Sequence, residues 1–335
     1  MIRKLAALPW TCVAAARVAL YRNGLLRTHD LPRPAVSVGA LEMGGTGKTP
    51  TTLAIATALR DGGVRPAIVS RGFGRVGTAP LLVCDGTGPL VTATEAGDEP
   101  WLMAHLMPEV AVAVAGPREL AAALVAPDGV DVFVLDDAFQ HVRVRRRVDL
   151  LMVDSRRPFW TQVPPPFGRL RESVAAAARA DAFVIRGDGG VLGDRWPAKP
   201  RLQLCQAKTH FLPLWAWLRD PHAEGVAPPG TPCVAFAGIA KPARFFNDMR
   251  KAGIEITLAQ QYRDHQTYTT TEIRGLAERA RLRGCDTLLT TEKDAARLAH
   301  LDLDDLNIVV ATYRLRLEDE EPLLRMLEGP PEMKR

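Results

Sequence analysis

Cysteine and aromatic residues are scarce in this chain, and their scarcity argues against several kinds of site. The five cysteines are scattered and never spaced as Cys-x-x-Cys, which argues against a disulfide framework and a zinc site and fits a reducing compartment. Aromatic residues make up only 6%, so platforms for stacking nucleic-acid bases are not expected. Beyond the N-terminus, no segment has the roughly 20 apolar residues that a membrane-spanning helix needs.

A strong excess of charge of either sign is also lacking. Lysine and arginine total 43 against 38 aspartate and glutamate, which gives a formal net charge of +5. This bias is compatible with anionic ligands or an anionic membrane face, but it is too weak to indicate nucleic-acid binding. With 335 residues, 47% of them hydrophobic, the chain is typical of a soluble globular protein of about two domains. We expect no nucleic-acid partner, and no obligate protein partner is evident.

The N-terminus combines a short apolar stretch with basic ends. Residues 5–16 carry no charge, but the stretch is too short to span a bilayer. Arg3 and Lys4 precede it, Arg17 follows it, and Trp10 lies within it. The pattern suits a helix lying in a membrane surface and, slightly more simply, a helix packed on the protein's own core.

From Arg33 onward, short runs rich in valine, isoleucine and leucine alternate with helical stretches. Runs without polar alternation are typical of parallel strands covered on both faces. The pattern therefore predicts a doubly wound, mainly parallel α/β sheet. The strands of this sheet are predicted at 35–38, 67–69, 110–114, 131–135, 150–153 and 183–185.

A region rich in glycine and proline then interrupts the alternation, and residues 203–230 are predicted to be a linker or crossing segment. The α/β pattern resumes with predicted strands at 233–237, 254–257, 287–290 and 308–311 and helices at 242–251 and 271–283. This predicts a second, smaller α/β domain. We divide the chain into an N-terminal helix (1–22), a first domain (23–205), a linker region (206–230) and a smaller C-terminal domain (231–335).

The most informative motif is a glycine-rich loop between the first predicted strand and a helix. Its residues are Gly44, Gly45, Thr46, Gly47, Lys48, Thr49 and Pro50. Glycines let several backbone amides point at one anion, and the helix N-terminus adds partial positive charge. In a P-loop the lysine reaches the terminal phosphates and the hydroxyl of the next residue binds Mg²⁺. The loop predicts a nucleotide site in a P-loop NTPase-like fold, although Glu42 stands where the strict pattern has glycine.

Paired carboxylates follow another predicted strand. Asp136 and Asp137 come directly after four apolar residues, at the edge of the sheet where an α/β protein binds its ligand. An acid at this place holds Mg²⁺ directly or through water in P-loop enzymes. Beside the glycine-rich loop, the pair predicts the metal side of the nucleotide site.

Three further polar clusters occur near this edge of the sheet. Arginines and glycines alternate in Ser70–Arg75, adjacent carboxylates precede a helix in Gly97–Pro100, and an arginine-rich segment covers Gln140–Arg147. Arginines there suit an anionic substrate or developing phosphoryl charge. A solvated loop explains any single arginine about as well, and Asp98 also suits a helix N-cap.

Together these segments resemble the tetraacyldisaccharide 4'-kinase family, the lipid A 4'-kinases. The resemblance runs in order from about Tyr21 to Ala311 and adds four segments to those above. They are Gly168–Glu172, Ala235–Ile239, Asp264-His265 and Thr290–Asp294.

The resemblance implies transfer of the ATP γ-phosphoryl group to the 4'-hydroxyl of an acylated disaccharide 1-phosphate, a lipid A precursor. ATP and Mg²⁺ are the implied cofactors. It also implies two α/β domains joined by a short β linker, with the active site in the cleft between them. The N-terminal helix would dock on the cytoplasmic face of the bacterial inner membrane as a peripheral element, which favours the membrane interpretation of residues 1–22.

Site residues carry over by position in the matching motifs. Asp98 matches the family's base, and His265 matches the histidine that orients it; a carboxylate of this kind takes the proton from the attacking hydroxyl. Lys48, Thr49, Asp136, Asp137 and Glu99 are the expected phosphate and Mg²⁺ contacts. Among them Lys48 and Asp137 act in catalysis, and Thr49, Glu99 and Asp136 are the candidate metal ligands. Further expected site residues are Arg71, Arg118, Gln140, His141, Arg171 and Glu172.

The sequence departs from the family at Ala40, Glu42, Phe167 and Gln266. Glu42 matters most, because a carboxylate near the loop repels a nucleotide unless it points away or pairs with an arginine. One alternative class stays open. The loop also resembles those of MinD/ParA-like switch ATPases, which usually carry a lysine where this chain has Met43, and which need no base for a sugar hydroxyl.

Overall fold

The computed structural model describes residues 8–126, 129–187, 199–207, 209–225, 230 and 232–328. Parts of the predicted N-terminal, linker and C-terminal regions lie outside these residues, including Arg3 and Lys4. The described residues form fourteen strands in two sheets, so the chain has an α/β architecture with one large and one smaller sheet.

The bounds of the elements follow the alternation read from the sequence. The strands are β1 (Ala35–Gly39), β2 (Pro66–Ser70), β3 (Leu81–Cys84), β4 (Ala111–Val114), β5 (Val132–Asp136), β6 (Val148–Asp154), β7 (Ala182–Arg186), β8 (Arg201–Gln206), β9 (Phe211–Pro213), β10 (Cys233–Ala237), β11 (Ile256–Gln261), β12 (Thr287–Thr291), β13 (Asn307–Ala311) and β14 (Leu315–Leu317). The helices are α1 (Leu8–Arg22), α2 (Lys48–Asp61), α3 (Ala93–Ala96), α4 (Asp98–Leu106), α5 (Arg118–Val125), α6 (Leu214–Arg219), α7 (Pro242–Lys251), α8 (Thr270–Arg281), α9 (Glu292–Leu298) and α10 (Glu321–Glu328).

The larger sheet has nine strands in the order β14-β8-β7-β6-β1-β5-β2-β4-β3. Its inner strands are parallel, and only the two edge strands β3 and β14 pair antiparallel. Strands β1, β2 and β5 are buried along their whole length, as expected for apolar strands covered on both faces. Because β1 lies between β5 and β6, the loops after β1 and β5 meet at the same carboxyl edge.

The smaller sheet has five strands in the order β11-β10-β12-β13-β9, parallel except for the edge strand β9. β9 comes from the region predicted as a linker, and it closes the second sheet. The end of the chain returns to the first sheet, where β14 pairs with β8 and the Leu324 side chain lies against Gly62. Residues 315–328 therefore pack with the larger sheet although they follow the smaller one in sequence.

Apolar packing is continuous between the two sheets. Helix α4 lies at the junction, where Trp101 stacks on His105 and both rings face Trp217 of α6. His105 Nε2 lies 2.9 Å from the Trp217 carbonyl oxygen, and the Trp217 side chain is fully buried. This packing fixes α4, and with it Asp98 and Glu99 in its first turn, between the two halves of the molecule.

The predicted fold class is confirmed: a doubly wound, mainly parallel sheet with a second, smaller α/β unit. β10 and α7 have the predicted bounds, and the other predicted strands differ at their ends by a few residues. The sequence analysis did not predict β3, β8, β9 or β14. Three of these, β3, β9 and β14, are short edge strands, which carry little apolar pattern. The helix expected after Gly97–Pro100 is α4, and it begins at Asp98 itself.

Candidate active site

The loop after β1 has the backbone shape of a phosphate-binding loop. Gly44, Gly45 and Gly47 have φ values of 64°, 56° and 85°, in the left-handed region that favours glycine. Helix α2 begins directly afterwards at Lys48, so its free amides face the loop. Pro50 lies in the first turn, where no helical hydrogen bond is lost. Thr46 is buried, and its hydroxyl has no hydrogen-bond partner in the described part of the chain.

Asp136, at the end of β5, is held by two hydroxyl groups. The Thr52 and Ser70 hydroxyls each donate to its carboxylate at 2.9 Å. Burial raises the pKa of Asp136 to about 6, with further contributions from the charges of Glu99 and Asp137. A buried carboxylate among other carboxylates needs a cation to stay ionised, which is the environment of a metal ligand.

Asp137 connects the lysine of the loop to a more distant arginine. Its Oδ2 lies 3.7 Å from Lys48 Nζ, and Arg171 donates to both of its oxygens at 2.7 and 2.8 Å. Its φ is 46°, a strained value for a residue with a side chain, and such strain is common where a group must point into a site. Asp137 therefore holds Lys48 and Arg171 on one side of the loop.

Asp98 begins α4 and is contacted by side chains from the second sheet. His265 Nδ1 lies 3.1 Å from Oδ2, and Arg297 donates to the same oxygen from Nε at 2.9 Å and also from Nη2. Burial alone would raise the pKa of Asp98. The His265 hydrogen bond and the charges of Lys293 and Arg297 outweigh burial and hold it well below its usual range. Asp98 is therefore ionised, and its Oδ1 accepts only the Glu99 amide among the described contacts.

The pair predicted from distant segments thus meets in space. His265 lies in a loop after β11 and also has a positive φ of 61°. Its amide donates to the Gly238 carbonyl. The Phe73 and His265 rings meet edge to face, with their centroids 5.2 Å apart. The turn aims the imidazole at a carboxylate that belongs to the other half of the molecule.

Glu99 links this group to the metal side. Its carboxylate binds Lys293 Nζ at 2.7 Å, and its charge contributes to the raised pKa of Asp136. Glu99 therefore lies within electrostatic range of Asp136, and Asp137 lies beside Lys48 of the phosphate loop. Lys293 and Arg297 were not predicted as site residues; the signal available was their spacing of four residues on α9, directly after a predicted strand.

Arg118, Gln140 and His141 are placed at this edge of the sheet. Arg118 is buried and donates to the carbonyls of Ala115 and Asp136 at 3.2 and 3.3 Å; burial lowers its pKa to about 10. Burial and four nearby arginines lower the pKa of His141 to about 3, so its ring is neutral. Gln140 accepts a hydrogen bond from Arg171 at 3.3 Å. Arg71 is exposed nearby, and its charge acts on Arg118.

Glu172 is committed to a structural ion pair. Both of its oxygens accept from Arg179, at 2.5 and 3.0 Å, and the Arg179 guanidinium lies 4.6 Å from the Phe139 ring centroid. The backbone of Arg171 and Glu172 lies at the site, but this carboxylate is directed into packing beneath it. This paired, buried glutamate supports the loop, and in the described part of the chain its carboxylate contacts Arg179 rather than the phosphate loop.

The arginine-rich segment after Gln140 is likewise engaged within the protein. Arg143 pairs with Glu119, Arg145 with Asp30 and Arg146 with Asp149, at 2.7, 3.0 and 2.8 Å. The sequence analysis interpreted the arginines as substrate-binding groups or as part of a solvated loop. These three arginines instead pair with carboxylates of the protein. Their ion pairs hold in place the segment that carries Gln140 and His141.

Glu42 does not repel a nucleotide as an isolated charge. It lies in a short antiparallel bridge with Leu170, and the charges of Lys241, Arg157 and Arg169 act on it. Burial raises the pKa of Glu42, and the charges of Lys241, Arg157 and Arg169 act in the opposite direction. The other departures are benign: Ala40 is buried, Phe167 is exposed, and Gln266 donates to the Thr267 carbonyl.

Helix α1 rests on the segments that carry the site. The Trp10 indole donates to the Arg171 carbonyl at 2.9 Å, and Arg17 donates to the Gln140 carbonyl at 3.1 Å. Val13 and Leu20 remain exposed on it. Among the described residues, no helix has the length and apolarity to cross a membrane.

The donors present fit a magnesium ion that is shared with phosphates. The Thr49 hydroxyl and the carboxylates of Asp136 and Glu99 are hard oxygen ligands, which Mg²⁺ prefers. Within the part of the chain that the structure describes, no cluster of three or more acidic, histidine or cysteine side chains forms a metal cage. Mg²⁺ is typically held by only one or two carboxylates when phosphate oxygens complete its shell.

Comparisons with known proteins point to one family. The family model described as tetraacyldisaccharide-1-P 4'-kinase matches residues 2–330. The tetraacyldisaccharide 4'-kinase of Desulfotalea psychrophila is 36% identical over 84% of this chain and 83% of its own length. That of Chlorobium luteolum is 37% identical over 97% and 88%.

A solved structure gives the same result for the fold. The crystal structure of "apo" form LpxK from Aquifex aeolicus in complex with ATP superposes with a TM-score of 0.78 at 28% sequence identity. The match covers 98% of both chains, so it includes both sheets and the segments between them.

Proposed function

The chain belongs to the tetraacyldisaccharide-1-P 4'-kinase family, and we propose that it transfers the γ-phosphoryl group of ATP to the 4'-hydroxyl of a tetraacyldisaccharide 1-phosphate. The observation that carries the proposal is the meeting of Asp98 with His265 beside the phosphate loop. A nucleotide switch needs the loop alone. A kinase for a sugar hydroxyl also needs a group that accepts a proton, and the switch alternative offers no role for this pair.

The phosphate loop and its neighbours would bind and orient the triphosphate. The loop amides and Lys48 would contact the terminal phosphates, and Thr49, Asp136 and Glu99 would hold Mg²⁺. Magnesium, when bound, neutralises charge on the phosphates. Arg118 and Arg171 are rigidly placed by the Asp136 carbonyl and the Asp137 carboxylate, so they add positive charge without reorganisation.

Asp98 would take the proton of the 4'-hydroxyl at Oδ1, the oxygen that neither His265 nor Arg297 occupies. Because its pKa lies well below the usual range, Asp98 is always ionised at neutral pH but is a weak base. Phosphoryl transfer through a loose transition state suits such a base, since the proton is lost late, when the oxygen has begun to bond to phosphorus. His265 would orient the carboxylate.

The decisive experiment is transfer of labelled γ-phosphate from ATP to the disaccharide 1-phosphate in detergent micelles. Wild type should give labelled lipid, and Asp98→Asn should lose at least about a hundredfold in kcat, the usual contribution of a positioned base. Asp305→Asn removes an exposed carboxylate paired with Arg274 and serves as the matched control. Retained activity in Asp98→Asn, or ATP hydrolysis without labelled lipid in wild type, would contradict the proposal.

We also propose that α1 seats the enzyme on the cytoplasmic face of the inner membrane. Trp10, Val13 and Leu20 are exposed apolar side chains of this helix, and Arg17 and Arg22 add positive charge. Exposed apolar side chains with basic neighbours suit the surface of an anionic bilayer. A lipid substrate would reside in that bilayer, and the contacts of Trp10 and Arg17 with the Arg171 and Gln140 carbonyls support a position of α1 beside the site.

A further inference from the structure

Three cations that the motifs do not assign lie against the phosphate loop. A Cβ added at Gly44 would lie 2.7 Å from Arg169 Nη2, and one at Gly47 would lie 2.8 Å from Arg186 Nη1. A Cβ at Gly45 would lie 3.1 Å from Lys241 Cε. The side chains of all three residues thus converge on the backbone of the glycine-rich loop.

Separate parts of the fold deliver these side chains. Arg169 lies opposite the loop because residues 41–43 and 169–171 pair antiparallel, with the Met43 amide donating to the Arg169 carbonyl at 2.8 Å. Arg186 is the last residue of β7. Lys241 belongs to the second sheet: it follows β10 and precedes Pro242, the first residue of α7.

Among the described residues, none of the three forms a direct ion pair, and Glu42 and Asp154 act on Lys241 only at longer range. Within the described residues, no carboxylate oxygen lies within 4.0 Å of the charged nitrogens of Arg169, Arg186 or Lys241. Neighbouring cations differ, since Arg171 pairs with Asp137 and Arg244 with Asp154.

Two of these cations are also partly desolvated. Burial lowers the pKa of both Arg186 and Lys241, and the Arg186 guanidinium lies 5.2 Å from the centroid of the Tyr313 ring. Positive charge that is desolvated and unpaired costs stability. Its presence at a phosphate loop is explained if an anion completes the site.

We propose that Arg186 and Lys241, with Arg169 at the entrance, form a clamp for the terminal phosphates of a nucleoside triphosphate. The inference rests on the proposed function and assigns three phosphate contacts to it. Lys241 supplies positive charge from the second sheet to the phosphate loop. That loop has Met43 at the position where the switch ATPases usually carry a lysine. Bound phosphates would therefore tie the two sheets together.

The test compares binding of ATP, ADP and AMP to the full chain without lipid, by equilibrium titration. Lys241→Met and Arg186→Met keep the apolar stems, and Arg325→Met removes an exposed arginine as control. Each clamp variant should weaken ATP binding about tenfold or more and leave AMP binding unchanged, since a charge-assisted contact to phosphate is lost. Lys241→Arg should retain most of the affinity.

Unfolding temperatures separate this role from a structural one. Without nucleotide, Lys241→Met should unfold at the same temperature as wild type or higher, because an unpaired cation is gone. With ATP its temperature should rise less than that of wild type. Equal loss of AMP and ATP binding, or unchanged ATP binding, would overturn the clamp.

The clamp and the proposed function fail in different ways. Clamp-dependent ATP binding without lipid phosphorylation by wild type would support the clamp and refute the kinase proposal. Lipid phosphorylation with an unchanged KM for ATP in both variants would refute the clamp alone. Absence of any ATP binding by wild type would refute both.

Discussion

At the scale of single residues, the site is built from carboxylates whose neighbours give them opposite properties. Asp98 is ionised because a histidine, a lysine and an arginine surround it. Asp136 is equally buried but has hydroxyl groups and other carboxylates around it, so its pKa is raised. Two aspartates thus suit different roles: Asp98 suits a proton acceptor, and Asp136 suits a ligand of a cation.

Asp136 should destabilise the nucleotide-free protein at neutral pH. The folded chain holds a proton on Asp136 between its usual pKa of 3.8 and its folded pKa of about 6, and the unfolded chain does not. Stability therefore falls as pH rises through this window and stays lower above it. Asp136→Asn should raise the free energy of unfolding at about pH 8 by roughly 1–3 kcal/mol.

Thermal unfolding at several pH values checks this expectation. The advantage of Asp136→Asn should shrink as pH falls from about 8 to about 3, where the wild-type carboxyl is protonated in both states. Phosphoryl transfer should be lost in the same variant. A lower unfolding temperature for Asp136→Asn across the whole range would contradict the assignment.

At the scale of secondary-structure elements, the sequence predicted most of the inner parallel strands of the larger sheet and placed the phosphate loop correctly between β1 and α2. It could not show which residues those elements hold in place. Arg146 and Glu172 appeared as site or surface residues, but the structure pairs them with Asp149 and Arg179. Pairing partners far apart in sequence leave no local pattern, whereas the period of apolar residues does.

Helix α1 is the element whose role depends on its exposed face. Val13→Glu should reduce co-sedimentation with phosphatidylglycerol vesicles on the order of tenfold, because an exposed apolar side chain is lost from the contact and a repelled charge is added. Leu282→Glu places the same charge at an exposed apolar position just after α8 and should bind normally. Equal binding by wild type and Val13→Glu would remove α1 from the membrane contact.

At the scale of the whole molecule, charged contacts between the two sheets converge on the active site. Arg297 and Lys293 of α9 reach Asp98 and Glu99 of α4, and Arg244 of α7 reaches Asp154 of β6. Apolar packing around Trp217 surrounds the first of these contacts. Residues of the proposed site are therefore held by contacts from both sheets.

Arg297→Met should lower the free energy of unfolding by about 3 kcal/mol, because it leaves the buried Asp98 carboxylate with less compensation. The double variant Arg297→Met/Asp98→Asn should recover a large part of this loss, since the unpaired charge is removed too. Denaturant titration of the two single variants and the double variant measures the coupling. Purely additive losses would show that Arg297 stabilises the fold through its contacts with Gly238 and Asp294 instead.

The sequence by itself determined the fold class, the phosphate loop and the identity of the chemical groups, because these depend on local periodicity and on short motifs. Only the tertiary structure decided which charges are free to act. It paired Glu172 and the arginines after His141 within the protein, brought His265 and Arg297 to Asp98, and left Lys241 unpaired beside the loop. The physical reason is that an ion pair depends on distance in space and on burial, and neither is encoded in the spacing of residues along the chain.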